Sequence, residues 1–162
     1  MAIHVQRERW ISMEQLAEQF VALTDQNECG LRRVPMKVKT LICNCKGLDP
    51  FRYADMNSLA FEIESEFEVS YAAIHPQLCA EGGNQILEEV LRSAEDDPDT
   101  YVMVCACAEE TQMKLFKKAL RNTEFDQKHF VPLDIRNTTN DGILDRIRER
   151  LNELADPSKP RH

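Results

Sequence analysis

The sequence predicts a single three-layer α/β domain with a mostly parallel four-stranded sheet, preceded by an N-terminal helical extension. Two observations lead to this fold class. Four short apolar runs of strand length alternate with segments whose apolar residues recur at helical spacing. The first run, residues 38–43, is apolar enough to be buried on both faces, as the strands of parallel sheets are. Alternating strands and helices then imply right-handed crossover connections.

The bulk properties of the chain exclude several classes of protein. A length of 162 residues suits one domain with its own core. The formal net charge of -8 disfavours binding to nucleic acid. No apolar run approaches the roughly 18 residues of a membrane span, and the polar N-terminus shows no secretory signal. We therefore expect a cytoplasmic protein without membrane insertion.

Residues 1–37 are interpreted as an N-terminal extension with an amphipathic helix. Ser12 and Gln15 form a capping box, and an apolar face follows. That face either packs on the core or docks on a partner. Residues 38–155 form the α/β domain, and residues 156–162 form a flexible tail. The apolar face consists of Met13, Leu16, Phe20 and Leu23.

The elements of the α/β domain follow in order along the chain. Strands are predicted at 38–43, 68–74, 101–105 and 130–135, and Pro132 indicates that the last of them lies at a sheet edge. Helices are predicted from about Tyr53 to Glu66, after Gly83 up to Ala94, over 113–120, and from a cap at Asn140 or Asp141 to Leu154. This order is Rossmann- or flavodoxin-like.

Cysteines follow three of the four predicted strands. Cys43 and Cys45 come at the end of the first, Cys79 follows the second, and Cys107 follows the third. Parallel α/β sheets bind ligands outside the carboxyl ends of their strands. The four thiols should therefore meet at one edge of the sheet, from three separate segments.

Soft thiolates suit either an iron–sulfur cluster or zinc, and four of them are the usual complement for both. The one-residue spacing of the first pair, and the spread over three loops, favour a cluster. Redox thiols and buried structural cysteines remain alternatives. Helix N-termini after Cys79 and Cys107 should lower the pKa of these thiols.

Three further side chains are candidate ligands of lower rank. Cys105 lies within a strand and is better interpreted as a small buried hydrophobe. His75 could replace a thiolate, but a histidine before proline is more typical of a turn. Cys29 lies in a polar stretch without a second ligand beside it, which indicates a spare thiol.

The segment from about Lys39 to Ile135 resembles the N-terminal iron–sulfur domain of the HdrA-like proteins of heterodisulfide reductase, a domain shared with related ferredoxin-like proteins. That family shows a strand ending Cys-His-Cys-Gly, a later Cys-Ser before glycine, and a third cysteine before a helix ending Leu-Phe. By resemblance, Cys43, Cys45, Cys79 and Cys107 are the cluster cysteines, and Cys105 is extra. The residues that carry the resemblance are Ile42-Cys43-Asn44-Cys45-Lys46-Gly47, Leu78-Cys79-Ala80-Glu81-Gly82, the run from Ala106 to Phe116, and the run from Val131 to Arg136.

The chain departs from the family at several points. Asn44 replaces the histidine between the first two cysteines, and Ala108, Glu109 and Glu110 stand where the family often has Thr-Pro-Arg. Larger family members also carry a flavin domain. This chain has no Gly-x-Gly-x-x-Gly, so we expect it to bind no flavin or nucleotide itself.

The sequence therefore predicts an electron-transfer subunit or module with one [4Fe–4S] cluster, within a larger heterodisulfide-reductase-like redox complex. Its partners would be flavin- or iron–sulfur-containing subunits. Without a nucleophile–base pair, we expect no catalytic activity of the chain alone. One alternative is a zinc-stabilised protein-interaction module. The other is a thiol–disulfide redox protein that uses Cys43 with Cys45, or Cys105 with Cys107.

Overall fold

The computed structural model describes residues 36–156, and the predicted N-terminal helix, Cys29 and residues 157–162 lie outside that range. Its four strands form one all-parallel sheet in the order β2-β1-β3-β4, which confirms the predicted α/β class. The strands are Lys37–Cys43 (β1), Tyr71–His75 (β2), Thr100–Ala106 (β3) and Phe130–Asp134 (β4). Pro132 lies in an edge strand, as predicted.

Helices cover both faces of the sheet and complete the three layers. The described helices are Met56–Glu66 (α1), Glu81–Arg92 (α2), Glu109–Leu115 (α3), Lys117–Arg121 (α4) and Asn140–Ala155 (α5). The α1 and α5 helices bury their apolar residues against one face of the sheet, and α2 and α4 bury theirs against the other. None of these helices combines the length and apolar character that crossing a bilayer requires.

The two inner strands form the centre of the core. Every residue of β3 is buried. In β1, Ile42 faces the α1 side and Cys43 the α2 side, so the strand contributes to both halves of the core. Burying apolar area stabilises the fold by about 25 cal/mol per Å². Two-sided burial is thus why the apolar run at 38–43 forms an inner strand.

Several predicted boundaries are corrected by local contacts. The α1 helix begins at Met56 rather than Tyr53, because the Asp55 carboxylate accepts a hydrogen bond from the Asn57 N–H at 2.9 Å and caps the helix there. The helix predicted over 113–120 is two helices. Phe116 separates them with φ -95° and ψ 2°, outside the helical region.

The predicted cap of the last helix is also wrong. Thr139 occupies the cap position, with no hydrogen bond from its side chain to the helix. The Asn140 side chain instead accepts from the Asp55 N–H at 2.8 Å and donates to the Glu62 carboxylate at 2.9 Å. Asn140 therefore joins α5 to α1 rather than capping its own helix.

The connections make the pair of strands β1 and β3 a topological switch point. The chain leaves β1 for α1 on one face, and it leaves β3 for α3 and α4, whose buried core lies on the other face. The order β2-β1-β3-β4 reverses direction at this pair of strands. Such a switch point opens a gap outside the carboxyl ends of the strands, where ligands bind in doubly wound sheets.

Candidate metal centre

The strands that precede the cysteines end level with one another. Cys43 at the end of β1 pairs with His75 of β2, and Ile42 pairs with Cys105 of β3. Cys45, Cys79 and Cys107 follow these strand ends in sequence. The four predicted thiols thus lie along the carboxyl edge of the sheet, beside the switch point. We call Cys43, Cys45, Cys79 and Cys107 the four-thiol site.

Cys43 and Cys45 are in direct contact. Their Sγ atoms lie 3.3 Å apart, and the Leu78 N–H donates to Cys43 Sγ at 3.4 Å. The hydrogen bond from Cys45, helped by the one from Leu78, lowers the pKa of Cys43 to about 6 although burial acts against this. The same contact raises the pKa of Cys45. This contact therefore favours the ionised form of Cys43 and the protonated form of Cys45.

The backbone after β1 adopts an uncommon conformation. Cys45 has φ 46°, Lys46 has φ 55° and Gly47 has φ 69°. Residues other than glycine rarely occupy this left-handed region, and such strain concentrates at functional sites. The Lys46 N–H donates to the Pro76 carbonyl at 2.8 Å, which ties this loop to the one after β2. In the sequence, Gly47 and Pro50 predict a loop over residues 46–52.

Close packing of α2 positions the loop that carries Cys79. Gly83 is buried in the first turn of α2, and a Cβ added there would lie 2.3 Å from the Gln77 carbonyl oxygen and 2.5 Å from the Leu78 Cα. Only glycine allows this approach. The Gln77 side-chain amide donates to Cys79 Sγ at 3.5 Å. Sequence reasoning noted the two glycines but not this contact.

A buried glutamine holds the loop that carries Cys107. The Gln112 Nε2 group of α3 donates to the Cys107 carbonyl at 2.7 Å and to the Leu133 carbonyl at 3.1 Å. This bridges the end of β3 to β4. Its Oε1 atom has no hydrogen-bond partner within the described residues. Met113, the apolar residue that begins the helix predicted over 113–120, is 40% exposed, while Gln112 is fully buried.

The thiols of the site influence one another's ionisation. Burial is the largest influence on Cys107 and raises its pKa, and negative charge on Cys43 and Cys79 raises it further. The predicted lowering of this pKa by the N-terminus of α3 is therefore outweighed. After the contact with Cys43 and burial, charge on Cys107 and Cys79 also raises the pKa of Cys45. Four thiolates here repel one another, and bound cationic iron or zinc would offset that repulsion.

The two lower-ranked candidates within residues 36–156 have different surroundings. Cys105 is fully buried in β3, on the α1 and α5 side, and burial raises its pKa to about 12. It is the small buried hydrophobe that the sequence predicted. His75 Nδ1 accepts a hydrogen bond from the Gln77 N–H at 3.1 Å, which is a turn contact.

Whether a metal fits the site depends on how far apart the sulfurs of its cysteines lie. Among residues 36–156, no group of three or more histidine, cysteine, aspartate or glutamate side chains is close enough to hold a metal ion. A zinc ion holds four ligands tetrahedrally, with Zn–S distances of about 2.3 Å that set two sulfurs about 3.8 Å apart, so Cys43 and Cys45, at 3.3 Å, would have to separate slightly to bind one. The four thiolates of a four-iron cluster bind four different irons, so their sulfurs stand farther apart than those on one zinc ion, and the Cys43–Cys45 contact would have to open further to hold a cluster.

We expect Cys43 of the metal-free protein to react with iodoacetamide with a midpoint near pH 6, because the Cys45 hydrogen bond lowers its pKa to about 6. Peptide mapping across pH would measure this. Because folding lowers the pKa of Cys43, the Cys43 thiolate stabilises the folded state. This stabilisation is fully present above the pKa of the unfolded chain and disappears as the pH falls through about 6. Cys45→Ala removes the donor and should move the midpoint upward. A midpoint above pH 8 in the unaltered protein would contradict this assignment.

The fold is a parallel α/β domain in which four cysteines lie at or just after strand ends, on the carboxyl edge of the sheet. A scan against models of known protein families gives no match, and a search of curated proteins gives none either. The resemblance to the HdrA-like proteins of heterodisulfide reductase therefore rests on the motif residues alone.

Proposed function

We propose that this protein is an iron–sulfur electron-transfer module in which Cys43, Cys45, Cys79 and Cys107 hold one [4Fe–4S] cluster. The observation that carries the proposal is the placement of these four thiols, from three separate loops, along one edge of a parallel sheet. Such a cluster supplies one-electron transfer when bound. Four soft sulfur donors at a switch point are the donor set and the place that it requires.

The surrounding groups support this role. Leu78 and Gln77 donate hydrogen bonds to Cys43 Sγ and Cys79 Sγ, and hydrogen bonds to ligating sulfurs stabilise negative charge and tune reduction potential. Cys43 is buried, while the other three thiols are only partly so. The site is therefore partly buried and partly accessible, as exchange of electrons with another protein requires.

We further propose that the module works in the cytoplasm, within a heterodisulfide-reductase-like complex, beside flavin- or iron–sulfur-containing subunits. A single one-electron centre needs a donor and an acceptor close by. Leu48 is 61% exposed and Tyr53 52% exposed, just after the Cys45 turn. Exposed apolar side chains next to a redox site suit contact with another protein.

Metal analysis with electron paramagnetic resonance on anaerobically purified protein tests the proposal. We expect about four iron and four sulfide per chain, since that is the cluster composition, a signal that appears on reduction, and no flavin on denaturation. A colourless protein with one zinc per chain would support the zinc-stabilised interaction module instead. Stoichiometric flavin would refute the expectation that the chain binds none.

A second candidate, a thiol–disulfide redox protein, is favoured by one observation. The Cys43 and Cys45 sulfurs are 3.3 Å apart, and their contact favours the thiolate form of Cys43. Cys43 would attack a substrate disulfide, release one substrate thiolate and form a mixed disulfide with the other half. Cys45 would then attack the Cys43 sulfur and release the second substrate thiolate, which leaves a Cys43–Cys45 disulfide. The one-residue spacer makes that ring strained. Reversible formation of this disulfide, in a protein that takes up no iron, would favour the second candidate.

A further inference from the structure

We propose that β2 is the contact strand of a symmetric dimer, in which it pairs antiparallel with β2 of a second copy of this chain. The pairing joins two four-stranded sheets into one continuous sheet. Within residues 36–156, β2 has a neighbouring strand on one side only, and that neighbour is β1. An edge strand of this kind presents free backbone groups that another strand can pair with. The inference concerns assembly and does not depend on whether the four-thiol site holds a metal.

Two residues of β2 direct their backbone groups away from β1. The His75 carbonyl accepts a hydrogen bond from the Asn44 N–H at 3.0 Å, so His75 faces β1. Successive residues of a strand direct their N–H and C=O groups to opposite sides, so Ile74 and Ala72 face the free edge. The Ala72 N–H agrees with this, because it donates to the Glu64 carboxylate of α1 at 2.7 Å rather than to β1.

The two outward-facing residues match each other across a twofold axis. With Ala73 placed opposite Ala73 of the second copy, Ala72 of each chain lies opposite Ile74 of the other. Each such pair can exchange both of its N–H···O=C hydrogen bonds, and the symmetry provides the pair twice. The side chains of residues 72–74 carry no charge, and the strand contains no proline. The pairing therefore meets neither charge repulsion across the axis nor a missing donor.

Apolar side chains beside the free edge are exposed. Ile74 is 36% exposed, and Ala73 is exposed as well. Phe61 of α1 is 73% exposed and lies about one turn before Glu64, on the same side of the helix, and Glu64 reaches the free edge at Ala72. A second copy on this edge would cover these apolar side chains, and burial of apolar area favours association.

Charges at the two ends of β2 favour a second copy over an unrelated partner. Lys46 lies at the end where β2 finishes, because its N–H donates to the Pro76 carbonyl at 2.8 Å. Glu68 precedes the strand at its other end, and both Lys46 and Glu68 are exposed. Antiparallel pairing brings the Lys46 end of each chain to the Glu68 end of the other, so opposite charges meet on both sides of the axis.

The Glu64 carboxylate competes for the Ala72 N–H in the single chain. It must turn away before the strand can pair, and because Glu64 is exposed its side chain can do so. The strand is also short, with five residues. We therefore expect a weak dimer that dissociates on dilution.

Sedimentation velocity of the full chain over a dilution series, with reductant to exclude disulfide-linked dimers, tests the proposal. The mass should rise from monomer to dimer with concentration. Ala73→Glu sets two carboxylates opposite each other at the axis and should weaken the dimer by more than about tenfold, as should Ala73→Lys. An equal mixture of these two variants should recover the dimer, since a carboxylate then lies opposite an ammonium group. Leu115→Glu, at an exposed residue of α3, is the control and should leave the dimer unchanged.

Amide hydrogen exchange of the unaltered protein gives a second measurement at the strand itself. The Ile74 N–H faces the free edge, so its exchange should be at least about tenfold slower in concentrated protein, where the dimer predominates, than in dilute protein. The Ala73 N–H faces β1 and should be protected at every concentration. Glu64→Ala removes the competing acceptor and should tighten the dimer by about threefold to tenfold.

Several results would overturn the proposal. They are a chain that stays monomeric at every concentration, a dimer that folded Ala73→Glu leaves intact, and an equal mixture of the two Ala73 variants that stays monomeric. Protection of the Ile74 N–H that does not change on dilution would show that something other than a second copy covers the strand. If Ala73→Glu does not fold, a Glu64→Ala dimer no tighter than the unaltered one overturns the proposal instead. None of these results bears on iron content, so the dimer and the proposed function fail separately.

Discussion

Cys79→Ser is expected to lose most of the bound iron, while the fold of the metal-free protein stays intact. Cys79 is the one cysteine that follows β2, so no neighbouring thiol within residues 36–156 can take its place. A serine hydroxyl is a much poorer ligand for iron than a thiolate. The same loss is expected for serine at Cys43, Cys45 and Cys107. Iron and sulfide analysis after anaerobic reconstitution, with circular dichroism melting of the metal-free variants, would measure both effects.

Cys105→Ala is the matched control and should keep its iron. Cys105 is fully buried in β3, and a buried serine hydroxyl without a partner would cost about 1–3 kcal/mol. Alanine avoids that cost, so it tests ligation rather than folding. Cys29→Ser, at a residue outside the described range, should also retain iron. Full iron in Cys79→Ser, or loss of iron from a folded Cys105→Ala, would refute the ligand assignment.

The fold was predictable because strand-length apolar runs alternate with helical periodicity. The apolar runs and the helical periodicity both reflect which faces of each strand or helix are buried, and the local sequence shows this pattern directly. The break at Phe116 and the role of Asn140 were not predictable in this way. Phe116 ends one helix and precedes another, and Asn140 bonds to α1, which lies about 80 residues earlier. Both depend on tertiary contacts that periodicity does not contain.

The position of the four-thiol site was predictable for a topological reason. Residues that follow parallel strands emerge at one edge, so the cysteine positions alone placed all four at that edge. The chemistry of individual thiols was not predictable. Cys43 is acidic because Cys45 donates to it, and the pKa of Cys107 is raised because it is buried. Gln112 was missed because a polar residue on a short helix gives no sign that it will bridge two buried carbonyls.

Gly83→Ala is expected to destabilise the protein and to lower its iron content. The added methyl group would lie 2.3 Å from the Gln77 carbonyl oxygen, and these neighbours are backbone atoms that cannot rotate away. Either α2 or the loop that carries Cys79 must shift. Overpacking of this kind costs about 1–3 kcal/mol. Moving the loop also moves one of the four thiols, so iron should fall by more than the stability loss alone explains.

Gly82→Ala provides the control at the adjacent position of the same helix. A Cβ at Gly82 meets no atom within 4 Å, and alanine favours helix by up to about 1 kcal/mol over glycine. This variant should therefore be as stable as the unaltered protein, or slightly more stable, with full iron. Urea unfolding of the metal-free forms and iron analysis of the reconstituted forms separate the two effects. Equal stability and equal iron in both variants would show that the close approach of α2 does not position Cys79.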